Sequence, residues 1–135
     1  MQEFCKEVCV DNIKDAMRAV DLGANRIEYC SKLSEEGLTP NIEDVKYLLK
    51  NIKIPLRIMI RPHSKFFNYS EQDISIMLRD ISNFKKIGVD GIVIGCLKED
   101  DEIDLKKINL LTEKARPLKV IFHKVIDMTL SLIHI

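Results

Sequence analysis

The chain has 135 residues, 46% of them apolar and 31% charged, a balance that suits one ordinary globular domain and argues against disorder. Its 21 basic and 21 acidic residues cancel, which removes the electrostatic case for nucleic acid or an anionic membrane as partner. No stretch approaches the roughly 20 apolar residues of a spanning helix, and the start MQEFCKEVC has neither a basic region nor a continuous apolar run. The expectation is a cytoplasmic protein whose four cysteines, Cys5, Cys9, Cys30 and Cys96, stay reduced and lack the C-x-x-C spacing of a zinc site.

In chain order, residues 3–9 read as a strand, and Asp11 is placed to cap a helix whose Ile13, Ala16, Met17 and Val20 share one face before Gly23 ends it. A short strand follows at 25–30. Thr39 and Pro40 then mark a helix start, with the hydroxyl capping free N–H groups, and Ile42, Val45, Leu49 and Ile52 form its buried stripe. Residues 56–60 make the third strand. Ser70 with Asp73 resembles a capping box, opening a helix with Ile74, Met77, Leu78 and Ile81 inward and Gly88 at its end. The run at 91–95 is almost continuously apolar, as in a parallel strand covered on both faces. A fourth helix from about Asp104 turns Leu105, Ile108, Leu111 and Ala115 inward and stops before Pro117, and residues 119–122 form a fifth strand.

Repeated βα units imply parallel strands joined by right-handed crossovers. An open doubly wound sheet and a (β/α)8 barrel both satisfy that order. No G-x-G-x-x-G follows the first strand to favour a dinucleotide fold.

Short segments separate the two. EVC at 7–9, GANRIEYCSKLSEEGLTP at 23–40, MIRP at 59–62 and FHKVIDM at 122–128, with YS at 69–70 and IDLKKI at 103–108, together resemble the CutC copper-homeostasis family. The resemblance implies an α/β fold, a partial (β/α)8 TIM barrel of about four and a half βα units, over residues 1–128, with 129–135 as an atypical, truncated tail. It implies a cytoplasmic protein of copper homeostasis, with Cu(I) as ligand held by Cys9 and Cys30. Departures from the family pattern fall at Glu36-Gly37, where a glycine pair is usual, at His63-Ser64-Lys65-Phe66, where Arg-Gly-Gly-Asp is usual, and at Lys124, which replaces an arginine. A complete barrel of this type takes about 250 residues. Half of one would expose two sheet edges and an apolar inner face, so a homo-oligomer or a complementing C-terminal half is the expected partner.

Side chains alternate along a strand, so Cys5, Glu7 and Cys9 share one face of the first strand, and Arg26, Glu28 and Cys30 one face of the second. In a barrel the C-terminal strand ends would gather Cys9, Cys30, Arg61, Cys96, His123 and Asp127, with Glu7 and Glu28 one layer deeper. Two soft thiolates suit linear Cu(I), and Cys96 or His123 could add to them. Equally, free cysteine is a small buried hydrophobe, and Cys5 is read that way; Met59 and Met77 are read as core filler rather than as a thioether copper site. The alternative function is a barrel enzyme acting on a small anionic substrate, with Glu7 and Glu28 as acid or base, Arg61 on the anion, and His123 and Asp127 completing the cluster. The same charges could instead form a buried ion-pair layer that fixes register. A third reading is a nonfunctional fragment. The segment 98–104 is expected to be a solvated acidic loop, and 65–70 a packed one.

Overall fold

The computed structural model describes residues 6–65, 68–94 and 102–122. In order they form β1 (Glu7–Val10), α1 (Ile13–Asp21), β2 (Arg26–Tyr29), a single 3-10 turn (Leu33–Glu35), α2 (Ile42–Asn51), β3 (Leu56–Met59), α3 (Glu71–Ile87), β4 (Gly91–Ile94), α4 (Leu105–Ala115) and β5 (Lys119–Phe122).

The helices start and stop where side chains satisfy their free backbone groups. Ser70 and Asp73 form the expected reciprocal capping box of α3, and Gly88, at φ +94°, ends that helix in the left-handed conformation that glycine adopts without steric cost. Two caps sit one or two residues later than expected. Asn12, not Asp11, caps α1 by accepting from the Asp15 N–H at 2.8 Å, and Asn41, not Thr39, caps α2 by accepting from the Glu43 N–H at 2.7 Å. Asp11 and Thr39 are recruited by tertiary partners instead. The carboxylate of Asp104 caps α4 by accepting from the Lys107 N–H, and the residue is buried, contrary to the expected solvated loop, of which residues 98–101 lie outside the described residues.

The five strands form one parallel sheet in the order β1-β2-β3-β4-β5. That order never reverses. When every right-handed crossover steps in the same direction, every helix lands on the same face; a doubly wound sheet needs a reversal to place helices on both. The core confirms the one-sided arrangement, because Val10, Ile27, Tyr29, Ile58, Ile60, Ile92 and Ile94 pack with Ala16, Val45, Leu48, Met77, Ile81 and Leu111 in a single cluster. The architecture is therefore an arc of a singly wound β/α barrel. Leu105 departs from the expected inward stripe of α4: it is 64% exposed, and Ile108, Leu111 and Ala115 alone turn inward.

Candidate functional site: two thiols on the inner face

The helix-free face of the arc carries the odd-numbered positions of β1, β3 and β4 and the even-numbered ones of β2. In register, Glu7 stands opposite Arg26, Cys9 opposite Glu28, and Glu28 opposite Arg57. The expectation of an apolar inner face holds only at its C-terminal end. Toward the N-terminal end the face is an ionic layer: Arg26 to Glu7 at 2.7 Å, Arg57 to Asp90 at 3.3 Å, and Lys119 to Asp90 at 3.9 Å. Opposite signs meet across neighbouring strands in these three pairs, as partly buried charges require. One layer up, Cys30, Met59 and Val93 form a small buried cluster with Ile121 against it. Cys9 lies beside them and is exposed, whereas Cys30 is buried.

The two thiols act as a pair. Hydrogen bonding from Cys30 is the largest influence on Cys9 and lowers its pKa, against burial and the nearby charges of Glu28, Glu7 and Asp11, which oppose a thiolate. Cys30 is pushed far up, chiefly by its hydrogen bond to Cys9 and then by burial. The Cys30 thiol also lies 3.6 Å from the Val10 carbonyl. Its single proton thus has two acceptors in reach, the Val10 carbonyl oxygen and the Cys9 sulfur. The first proton of the pair therefore leaves more readily than the second, and a soft cation bound by both sulfurs has to displace the tightly held proton of Cys30.

A loop roofs the pair. Ser31 and Leu38 exchange backbone hydrogen bonds at 2.8 and 2.7 Å, closing residues 31–38 into a compact turn. Asp11, at the end of β1, accepts from the Leu33 N–H at 2.9 Å, and this bond is the main reason its carboxyl lies below the usual range. On the other side Thr39 bridges to Arg61 twice, its Oγ1 accepting from the Arg61 N–H at 2.8 Å and its own N–H donating to the Arg61 carbonyl at 3.0 Å. The Arg61 guanidinium, 4% exposed, donates to the carbonyls of Glu35 (3.0 Å), Gly37 (3.3 Å) and Ser64 (3.3 Å). Lys32, Glu36 and Gly37 are all left-handed. A glycine pair is thus what the backbone would favour at 36 and 37, and Glu36 carries a conformational cost. Gly37 passes so close to the pair that a Cβ there would stand 3.1 Å from Cys30 Sγ.

Of the residues singled out from the sequence, Glu7, Glu28, Cys9, Cys30 and Arg61 come to this face and its mouth. His123, Asp127, Cys5 and Cys96 lie outside the described residues, as do Lys124, His134 and the tail. Asp11 and Thr39 were legible only as helix caps, because the partners that recruit them are distant in sequence. His63, another departure from the resemblance, pairs with Asp73 at 3.2 Å and stacks edge-on against Tyr69 at 5.2 Å, which ties the β3–α3 loop to the start of α3. Among the described residues no three His, Cys, Asp or Glu side chains converge on a metal-sized space.

Glu28, in the inner layer, is held above its usual pKa: burial is the main cause, followed by the charge of Glu7 and a hydrogen bond with it, opposed by Arg26 and Arg57. A folded-state pKa above the unfolded value contributes stability that is fully present below the unfolded carboxylate pKa and is lost as pH rises through the folded one. That contribution therefore declines as pH rises above the usual carboxylate range. Glu28→Gln is therefore expected to melt higher than the unmodified protein at pH 8, with the advantage shrinking toward pH 4. A melting difference independent of pH would show that Glu28 titrates alike in both states.

The family model of the CutC family matches residues 4–134. The chain belongs to the CutC family. It is 43% identical over 125 residues to the human copper homeostasis protein cutC homolog, covering 93% of this chain and 46% of that protein. A CutC family protein of Mesorhizobium japonicum is 41% identical over 123 residues, covering 91% of this chain and 48% of that protein. The crystal structure of CutC from Streptococcus agalactiae superposes with a TM-score of 0.86 at 29% identity, covering 93% of this chain and 61% of that one. The chain spans about half the length of the curated relatives it matches. The parallel β/α arc expected from the sequence is thus a CutC fold, and no helix among the described residues is long and apolar enough to cross a membrane.

Proposed function

We propose that this protein binds Cu(I) through Cys9 and Cys30 as part of cytoplasmic copper homeostasis. The observation that carries the reading is the thiol pair itself: two sulfurs on one face, one exposed with a lowered pKa and the other buried and donating to it. Soft thiolates select Cu(I) over harder cations, and Cu(I) accepts two-coordination, so a pair suffices where zinc would ask for four donors. Relatives named as copper homeostasis proteins support the same ligand.

The acid/base alternative draws on the raised Glu28 beside Glu7, but the donors of Arg61 that would hold an anionic substrate are given to loop carbonyls. The third reading, a fragment with no function, predicts no Cu(I) binding at all.

A partner surface accompanies the site. β1 and β5 each have one strand neighbour among the described residues, and an edge with open backbone groups invites pairing. Beside β1, a cleft of about 330 Å³ is lined by Val8, Val10, Ala19, Ala24 and Leu22, the last 76% exposed, together with the charged Lys6, Asp15 and Arg18. These features support a homo-oligomer or a complementing C-terminal half packing at the flanks of the arc.

The deciding experiment is an anaerobic Cu(I) titration against a competing chelator, run on the chain and on the Cys9→Ser, Cys30→Ser double variant. We expect tight binding of about one equivalent in the first and none in the second. Equal, weak binding by both would remove the two-thiol site.

A further inference from the structure

We propose that Met59 is a third ligand of the copper site, so that Cu(I) is held by two thiolates and one thioether. This rests on the two-thiol reading above and goes beyond it, by naming a donor that cysteine and histidine motifs do not reveal.

Met59 ends β3 on the inner face, in step with Arg57 and Arg61, and is 5% exposed. It is packed with Cys30 rather than with the helices: the small cluster of Cys30, Met59 and Val93 is separate from the main core. Gly37 locates the two sulfur-bearing side chains relative to one another. A Cβ at Gly37 would meet Cys30 Sγ at 3.1 Å and the Met59 methyl at 3.4 Å, so both side chains border the same point beneath the roofing loop. The residue above them is glycine at φ +96°, so residue 37 itself places no side chain against them.

The chemistry favours a thioether as the third donor. No trio of His, Cys, Asp and Glu side chains is assembled among the described residues, so a third donor drawn from those residues is of another type. Glu28, Glu7 and Asp11 already place negative charge near Cys9. A carboxylate ligand would add to that charge, whereas a neutral thioether completes a three-coordinate Cu(I) site without doing so. Thioether sulfur is also a soft donor, selecting Cu(I) against zinc and magnesium. A Met→Leu change nearly conserves volume, which separates a ligand from a core filler.

The test uses the full chain grown with selenomethionine and loaded anaerobically with one equivalent of Cu(I). X-ray absorption at the copper and selenium edges is expected to show a direct copper–selenium shell together with two copper–sulfur contacts. In Met59→Leu the selenium shell should vanish and affinity, measured against a chelator, should fall roughly tenfold or more, with the melting temperature nearly unchanged. Copper bound by two sulfurs with no selenium shell overturns the Met59 assignment and leaves the two-thiol site standing, as does a shell that survives Met59→Leu. Failure of the unmodified chain to bind Cu(I) overturns both. The selenium readout on the unmodified chain decides the question even if the variant folds poorly.

Discussion

Gly91→Ala is expected to destabilise the protein by about 3 kcal/mol, the upper part of the range for overpacking a well-filled interior. The cause is steric and backbone-directed. A Cβ at Gly91 would stand 2.7 Å from the Lys119 carbonyl oxygen, 3.1 Å from its Cβ and 3.3 Å from its carbonyl carbon, and Lys119 is the registered partner of Gly91 in β5. A flexible side chain could swing away, but a paired backbone cannot. β4 is fixed on its other side by β3, where Gly91 is the partner of Arg57, so relief would have to come from peeling β5 away. The same movement would separate Lys119 from Asp90, 3.9 Å apart. Urea denaturation of the variant checks this, and a loss under about 0.5 kcal/mol, the usual scatter of surface substitutions, would mean that β5 docks less tightly than the register implies.

The fold was legible in the sequence wherever the determinants were local. The capping box at Ser70 and Asp73 and the glycine stop at Gly88 involve neighbours along the chain, and both appear as read. The caps of α1 and α2 were misplaced for one shared reason. Asp11-Asn12 and Thr39-Pro40-Asn41 each offer two capping side chains, and the choice is made at long range: the Leu33 N–H takes Asp11 and the Arg61 N–H takes Thr39, which leaves the asparagines to cap. Periodicity left two architectures open because strand order is a non-local property. The family resemblance selected between them, and the unreversed order of the sheet agrees.

The site divides in the same way. Strand alternation placed Glu7 with Cys9 and Glu28 with Cys30 on one face, as the register shows. It also places Met59 there, but methionine is so common a core filler that the thioether copper reading ranked below it. The proximity of Gly37 to Cys30 was invisible, because it depends on a turn with left-handed residues at 32, 36 and 37. The role of Arg61 was hidden too. An arginine at a strand end suggests an anion, and only the geometry shows it spending its donors on carbonyls.

Arg61→Ala separates those two roles for arginine. If Arg61 holds the roof, removing it leaves the buried Gly37 carbonyl without this donor, while water can reach the more open Glu35 and Ser64. An unsatisfied buried acceptor costs about 1–3 kcal/mol, and the emptied space adds to that, so a loss of about 2–3 kcal/mol is expected without any ligand present. Arg61→Lys should recover only part of it, because one ammonium cannot reproduce the planar fork that spans Glu35, Gly37 and Ser64. Since Gly37 lies against Cys30, Cu(I) affinity should fall alongside stability in both variants. Denaturation and chelator competition on the two proteins provide the check. If ligand-free stability were unchanged, the guanidinium would be dispensable to the roof and available to an anion, and the acid/base reading of Glu7 and Glu28 would regain its missing partner.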